Sequence, residues 1–137
     1  MARTGVAGRV DQILAELGLR AEVDPDGDWR VETEAGPFLL VIDRDNGDLV
    51  AIQTIRTMAP PLADHADLMY LLMRLNLEAD GAAFAGLKDG DTDLLILAAR
   101  LKSDAVGRDR VEAMLAAATR LSARLDELVG EAVEEAS

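Results

Sequence analysis

Residues 68–101, LMYLLMRLNLEADGAAFAGLKDGDTDLLILAARL, predict a helix that is followed by a β-hairpin. The first part carries apolar residues on nearly all sides of a helix, so a helix that ends at about residue 78 is expected to be buried on two sides. Gly81 then interrupts the helical pattern. The apolar runs at 82–87 and 94–101 flank a turn rich in Asp and Gly, which is typical of two paired antiparallel strands.

The chain before this stretch predicts one helix and three strands. Residues 6–17 place apolar side chains at helical spacing and stop at Gly18, a residue type that commonly ends helices. Residues 29–36 alternate between apolar and charged side chains, the pattern of a strand with one solvated face. Residues 37–43 are apolar on both faces, which favours a central strand, and residues 48–57 predict a third strand.

Further helix boundaries follow from residues outside these runs. Pro60 and Pro61 cannot continue a strand, and Asp64 can cap the helix after them. Beyond the hairpin, a long helix is predicted from about residue 109 to 134. Its apolar residues step by three and four, which is more typical of a helix on its own sheet than of a coiled coil. They are Val111, Met114, Ala118, Leu121, Leu125, Leu128 and Ala132.

The predicted element order is helix, three strands, helix, two strands, helix. Strands that are joined in hairpins predict an antiparallel sheet packed against helices, which is an α+β fold. At 137 residues, the chain is expected to form a single domain over residues 1–137.

Charge and composition exclude several classes of function. The chain is 50% hydrophobic and 29% charged, which indicates a globular protein. Its net charge of −12 repels phosphate backbones, so nucleic-acid binding is disfavoured. It has no cysteine, which excludes disulfides and thiolate metal ligands. It has no apolar run long enough for a membrane span and no signal-peptide pattern, so a cytoplasmic protein without membrane contact is expected.

Three clusters of acidic residues and Gly, at 23–29, 41–52 and 88–94, pose the question of calcium binding. An EF-hand loop needs Gly at its sixth position and Glu at its twelfth. Counted from the Asp that would begin each loop, the sixth positions hold other residues, so no specific calcium site is predicted. These sixth residues are Trp29, Asp48 and Leu94.

The same clusters fit hairpin turns. Asn46-Gly47 and Asp89-Gly90 each supply two residues that tolerate positive φ, which a type I′ turn requires. The Asp side chains would then lie at strand ends in water, where we expect no desolvation to shift their pKa values.

No group of residues forms a recognisable catalytic motif. His65 is the only histidine and stands beside Asp64 and Asp67, and a base of this kind needs a nucleophile next to it. Ser103 and Ser122 lie in no nucleophile motif, and the glycine patterns of phosphate and dinucleotide sites are absent from the sequence. We interpret His65 as a solvent-exposed residue at a helix start. The sequence predicts no catalytic residue, cofactor or metal ligand, and no enzyme activity.

Four methionines, Met58, Met69, Met73 and Met114, have two interpretations. Each one alone is more typical of a core residue. Together, their flexible side chains can line an adaptable protein-binding groove. A helix that is apolar on most sides needs a second covering layer, and a partner subunit would provide it.

The predicted second helix ends in Leu75-Asn76-Leu77, and Gly81 and the short strand Ala83-Phe84-Ala85 follow. An acidic turn, a strand that ends in Ala-Arg-Leu and a long final helix complete the pattern. In this pattern, residues 64–105 resemble the YbjN-like family and the related type III secretion chaperone fold. The stretch GDWRVE at 27–32 is also similar to YbjN-like domains. These are packing motifs rather than chemical ones, and the shared element order extends the resemblance over nearly the whole chain.

The resemblance implies a homodimer without catalytic activity. The secretion chaperones of this superfamily bind extended segments of client proteins across apolar patches and keep them soluble. The YbjN-like branch is described as regulatory or protein-binding.

We therefore predict a non-enzymatic, dimeric protein-binding module, chaperone-like or regulatory. It would bind an extended segment of a client or regulatory partner by strand addition at a sheet edge or in an apolar groove. The alternative is a regulatory domain that senses a small ligand or a cation through the acidic turns. The candidate residues for partner or dimer contacts are apolar and lie on one face of two strands and on the second helix. They are Leu39, Val41, Val50, Ile52, Leu68, Met69, Leu72 and Met73.

Overall fold

Within the residues that the structure describes, the chain forms three α-helices and one sheet of six strands. This computed structural model describes residues 5–58, 65–78 and 81–136, and all of their side chains apart from Met58, Asp89 and residues 129–136. A short 3-10 helix, Ser103–Ala105, joins the last strand to the last helix. The helices are α1 (Gly5–Glu16), α2 (Ala66–Glu78) and α3 (Arg108–Ala136). The strands are β1 (Ala21–Val23), β2 (Trp29–Thr33), β3 (Gly36–Ile42), β4 (Leu49–Met58), β5 (Ala83–Asp89) and β6 (Thr92–Leu101).

The sheet has the strand order β1-β2-β3-β4-β6-β5, and every neighbouring pair is antiparallel. Helix α2 connects β4 to β5, and β6 then returns to lie between these two strands. This arrangement confirms the predicted α+β class with helices packed on an antiparallel sheet. The sequence pattern does not predict β1, because three residues are too few to show a period of two.

The core lies on one face of this sheet. In β2, Trp29 is buried and Arg30 is exposed, which confirms the predicted alternation. The register continues the apolar layer across the sheet, since Trp29 pairs with Leu40 and Leu40 with Ala51. All three helices contribute side chains to the same buried cluster. The helices and this face of the sheet therefore share one core.

Helix α3 contributes a long apolar seam to that core. It contacts β6, α2 and α1. Each fully buried Leu in such a seam contributes about 1.5–3 kcal/mol to folding, because its apolar surface leaves water. The seam confirms a helix that lies on its own sheet, up to Leu128; Ala132 lies outside the described side chains. The buried seam residues are Val111, Met114, Ala118, Leu121 and Leu125.

The predicted type I′ turn at Asn46-Gly47 is wrong. That turn needs positive φ at both residues, but in the described part of the chain only glycines have it, among them Gly47 at 77°. A longer loop forms instead: the Gly47 N–H donates to the Asp43 carbonyl (2.7 Å), and the Asp43 N–H donates to the Asp48 carbonyl (2.8 Å). The side chains of Asp43 and Asn46 accept hydrogen bonds from N–H groups two residues further on. These bonds stabilise the loop without positive φ at Asn46.

The predicted type I′ turn at Asp89-Gly90 is also wrong. Asp89 is the last residue of β5 and pairs with Thr92, so the two turn residues are Gly90 and Asp91. Gly90 has a φ of 63°, and Asp91 is not among the residues with positive φ. Gly at the first turn position alone is the arrangement of a type II′ turn.

Two expected features near α2 lie outside the described residues. These are the strand break at Pro60 and Pro61 and the helix cap at Asp64. Among the helices that are described, none combines the length and the apolar character needed to cross a membrane.

Candidate functional site

Helix α2 carries two apolar faces on opposite sides. Leu72 and Leu75 are buried in the core, and Leu68 and Leu71 pack against it. Four other large apolar side chains of the helix are exposed. With 3.6 residues per turn, these four lie within an arc of about 100° on the side away from the core. The four residues, which we name the α2 stripe, are Met69 (37% exposed), Tyr70 (66%), Met73 (68%) and Leu77 (88%).

The exposure of the α2 stripe changes which residues of the helix are candidates for contact with a partner. Met69 and Met73 belong to it. Leu72 is corrected from a candidate contact to a core residue, because its position on the helix faces the sheet. Leu68 packs against the core as well.

The structure also decides between the two interpretations of the methionines. The core interpretation is confirmed for Met114 and is wrong for Met69 and Met73; the side chain of Met58 is not described. Pattern reasoning missed Tyr70 and Leu77. A helical projection of this segment groups both residues with Met69 and Met73 on one apolar face, but the docking of α2 on the sheet decides which face is exposed.

A groove of about 150 Å³ lies between α2 and β5. Met69 and Met73 line its helix side, and Phe84, Ala85 and Gly86 line its strand side. Strand β5 pairs with β6 on one side only, so its other side is an edge of the sheet. This α2–β5 groove adjoins the α2 stripe, because Met69 and Met73 belong to both.

The side chain of Asn76 binds the β5 edge. Its Nδ2 donates to the Phe84 carbonyl (3.0 Å), and its Oδ1 accepts from the Phe84 N–H (2.7 Å). An added strand would need these same two backbone groups. The opposite edge is β1, whose three residues offer little length for pairing. Asn76 thus blocks the β5 edge at Phe84; strand addition stays a prediction beside the apolar surfaces.

The four strand candidates lie together on the sheet face opposite the core. Leu39 pairs with Ile52, and Val41 pairs with Val50, which confirms that they share a face. Leu39 is 38% exposed, and the other three are half-buried. The described helices share their core with the other face. We name these four residues the open sheet face; their contact role stays a prediction.

The acidic cluster at 23–29 brings three carboxylates together. Oxygens of Asp24, Asp26 and Asp28 lie within 4.8 Å of one another. The Asp24 carboxylate accepts hydrogen bonds from the N–H groups of Asp26 and Asp28, both at 2.9 Å. Burial, followed by the charges of Asp24 and Asp26, raises the pKa of Asp28, and Arg44 opposes this rise. The expectation of unshifted pKa values is therefore wrong for Asp28, because part of its side chain is removed from water.

The acidic cluster at 41–52 is tied to β6 by an arginine. Arg100 Nη1 lies 3.2 Å from Asp43 Oδ2 and 3.0 Å from Asp48 Oδ2. The Asp45 N–H, and after it Arg100, lowers the pKa of Asp43 through hydrogen bonds. The same two carboxylates raise the pKa of Arg100. These acidic groups thus join the β3–β4 loop to β6.

The residues considered for catalysis belong to different elements of the chain. His65 precedes α2 and is half-buried rather than exposed, and its carbonyl accepts a hydrogen bond from the Met69 N–H (2.9 Å). Ser103 begins the 3-10 helix, and Ser122 lies within α3. These positions give no support for a shared catalytic site.

Comparison with known proteins decides the family. The family model "YbjN: Putative bacterial sensory transduction regulator" matches residues 7–131. The chain belongs to the YbjN family. Among curated proteins, none matches the sequence significantly. A solved structure described as "Crystal structure of YbjN, a putative transcription regulator from E. coli" superposes with a TM-score of 0.59 at 13% identity, over 87% of this chain and 86% of that chain.

Membership of the YbjN family confirms the resemblance seen in residues 64–105 and, through the shared fold, the α+β class. The family is described as regulatory, and its description names no enzymatic activity. The relation to type III secretion chaperones stays a prediction. So do the homodimer and the client segment that the resemblance implies.

Proposed function

We propose that this YbjN-family domain is a non-enzymatic, cytoplasmic regulator that acts through protein contacts. Two copies join through the α2 stripe, and the dimer binds an extended segment of a partner protein on the open sheet face. The single observation that carries the proposal is the second apolar face of α2, with four large side chains exposed.

The residue types of the α2 stripe favour a second copy of the chain as the partner that packs against it. A two-fold axis places the same stripe of each copy against the other, so one surface serves both sides of the contact. Met69 and Met73 can repack to fit an opposing copy, and Tyr70 is of a type enriched at interfaces. The net charge of −12 on each copy opposes association. Contact through the stripe is therefore expected to strengthen as salt screens that repulsion.

The partner segment is expected to be extended, apolar at alternate positions and cationic. An extended segment places every second side chain on the same face, which suits the neighbouring side chains of the open sheet face. A cationic segment is attracted by the negative charge of the domain. The hydrogen bonds between Asn76 and Phe84 disfavour strand addition at the β5 edge. They therefore favour binding of the segment on a face of the sheet.

The words transcription regulator describe the E. coli YbjN structure. If this chain has a similar task, its negative charge favours contacts with proteins of the transcription machinery over contacts with DNA.

Cation sensing through the acidic turns has weaker support. The Asp24 carboxylate is already bound to N–H groups of its own loop. Asp43 and Asp48 are paired with Arg100. Both loops are therefore held together by the chain's own donors, and we do not adopt this alternative.

Light scattering after size-exclusion chromatography, at two protein concentrations and two salt concentrations, tests the dimer. A mass near twice 14.7 kDa is expected, and Met73→Glu should shift it to the monomer. Ala113→Glu adds the same charge to the exposed side of α3 and should leave the dimer intact. A wild-type monomer under all conditions, or equal dissociation of both variants, would overturn the dimer through the α2 stripe.

Photo-cross-linking from residue 52 tests the open sheet face. A cross-linkable side chain at this position should capture one specific partner in cells, and Leu39→Glu should abolish the capture without changing the mass of the dimer. Capture that is unaffected by Leu39→Glu would place the partner elsewhere on the domain.

A further inference from the structure

A pocket of about 460 Å³ lies between the end of α1, the β2–β3 turn and α3. A volume of this size is typical of sites for small molecules. None of its lining residues belongs to the α2 stripe or to the open sheet face. This α1–α3 pocket is therefore separate from the surfaces of the proposed function.

The walls of the α1–α3 pocket are apolar. Leu17 and Leu19, which follow α1, form one wall. Leu115 and Ala116 of α3 form another. Leu17, Leu19 and Ala116 are half-buried, and Leu17 and Leu19 also pack against the core. These walls offer a ligand an apolar contact surface.

Two hydroxyl groups among the lining residues are already engaged within the chain. The Thr119 hydroxyl donates to the Leu115 carbonyl (2.9 Å). The Thr33 hydroxyl donates to the Gly36 carbonyl (2.8 Å). The protons of these hydroxyl groups are therefore not available to a ligand, and selection by charge falls to the charged side chains of the lining.

Three charged residues line the pocket, Glu34, Glu112 and Arg120. All three residues are exposed, and none of their side chains has a hydrogen-bond or ion-pair partner among the described residues. Glu112 and Arg120 are separated by roughly 12 Å along the axis of α3. At this distance, across water, Arg120 does not neutralise Glu112. The lining thus carries two unpaired carboxylates against one guanidinium.

We propose that the α1–α3 pocket binds an organic cation with an apolar body. Its ammonium group lies beside the carboxylates of Glu112 and Glu34, and its apolar part rests on Leu17 and Leu115. The negative charge of the whole chain raises the local concentration of such cations. This inference goes beyond the proposed function and holds whether or not the domain dimerises.

Three probes with one apolar body and different charges test the proposal: 1-naphthylmethylamine, 1-naphthalenemethanol and 1-naphthylacetate. Titrations of the 15N-labelled full chain, followed by amide chemical shifts, give the affinity and the location of each probe. The cation is expected to bind most tightly and the anion most weakly, with shifts confined to residues around the pocket. Absence of binding by the cation, or tighter binding of the anion, would overturn the proposal.

Charge variants separate the two parts of the site. Glu112→Gln and Glu34→Gln should each weaken binding of the amine by about two- to fivefold, the effect of one exposed ion pair, and leave the alcohol unchanged. Arg120→Gln should tighten binding of the amine, because it removes a like charge. Equal effects of Glu112→Gln on the amine and the alcohol would refute a role for the carboxylate.

A filling variant tests the apolar part. Ala116→Trp should abolish binding of both the amine and the alcohol. Ala123→Trp, at an exposed position of α3 outside the lining, should bind like the wild type. If Ala116→Trp lowers the melting temperature much more than Ala123→Trp, its loss of binding does not count as a test of the pocket. The charge variants then test the pocket, because exposed Glu-to-Gln changes leave the fold intact. Retained binding by a folded Ala116→Trp variant would overturn the location.

Discussion

The side-chain amide of Asn76 binds both the N–H and the C=O of Phe84, at 2.7 and 3.0 Å. One residue near the end of α2 thus fills the place that a further strand would take beside β5. Open edges are where sheets associate with other chains. The longer of the two edge strands is therefore blocked at Phe84, while the α2 stripe next to it stays exposed.

We expect Asn76→Ala to lower the free energy of unfolding by about 1–3 kcal/mol, because two partly buried backbone groups of Phe84 lose their partner. Chemical denaturation followed by the fluorescence of Trp29, the only tryptophan, measures this change. The variant should also aggregate at lower protein concentration than the wild type, because the β5 edge becomes available for pairing.

Asn76→Asp is the matched control for this bond. It keeps the acceptor for the Phe84 N–H and loses the donor to the Phe84 carbonyl, so its stability should fall between those of the wild type and Asn76→Ala. Equal stability of all three proteins would show that Asn76 does not hold the β5 edge.

The periodic parts of the fold follow from the sequence. The alternation of Trp29 and Arg30 predicts which side of β2 is buried, and the apolar run at 37–43 predicts the place of β3 inside the sheet. The seam from Val111 to Leu125 predicts the buried side of α3. A period of two or of 3.6, repeated over many residues, is robust because no single residue decides it.

The features that the sequence does not predict depend on a distant contact or on one backbone angle. Helix α2 is apolar nearly all round, and only its docking on the sheet decides that Leu72 is buried and Met73 exposed. The role of Asn76 depends on the placement of Phe84 beside it. The φ of Asn46 depends on the length of its loop, which a pattern of turn residues does not fix.

Asp11→Ala should lower the free energy of unfolding by about 1–3 kcal/mol. The Asp11 carboxylate accepts a 2.7 Å hydrogen bond from Trp29 Nε1, and Trp29 is 1% exposed, so water cannot readily replace this partner. Circular dichroism during denaturation measures the change. Gln12→Ala is the control, since its 3.2 Å bond to Glu16 is exposed and its loss should cost within about 0.5 kcal/mol. Equal effects of the two variants would mean that this partly buried bond adds no more to stability than the exposed bond of Gln12.

Calcium should give no saturable binding heat in isothermal titration at physiological ionic strength. The Asp24–Asp26–Asp28 cluster is the test case, because its oxygens lie within 4.8 Å of one another while Asp24 already binds two N–H groups of the loop. A saturable heat that disappears in Asp28→Asn would instead establish a cation site here and revive the sensing alternative.

Asp28→Asn should raise the melting temperature near pH 7. Burial, and then the charges of Asp24 and Asp26, raise the pKa of Asp28, so the folded state binds its proton more tightly than the unfolded state. The ionised carboxylate therefore destabilises the fold above the folded pKa. This cost disappears as the pH falls through the folded pKa and below the ordinary value of 3.8. Melting curves of both proteins should accordingly converge near pH 3; a constant difference across this range would exclude titration of Asp28 as the cause.

Arg100→Gln should raise the pKa of Asp43 towards the ordinary value of 3.8 without restoring it fully. The Asp45 N–H is the largest cause of the lowered pKa and remains in the variant, whereas the bond from Arg100 is lost. A lowered pKa stabilises the fold above the unfolded value, and this contribution is lost as the pH falls through the folded pKa. The variant should therefore lose less stability than the wild type as the pH falls from the unfolded-state pKa of Asp43 through its folded-state pKa.

Carboxyl 13C NMR titration measures the pKa of Asp43. The control is Arg110→Gln, which removes the same charge from an exposed position of α3. An equal rise in both variants would assign the effect to net charge rather than to the contact between Arg100 and Asp43.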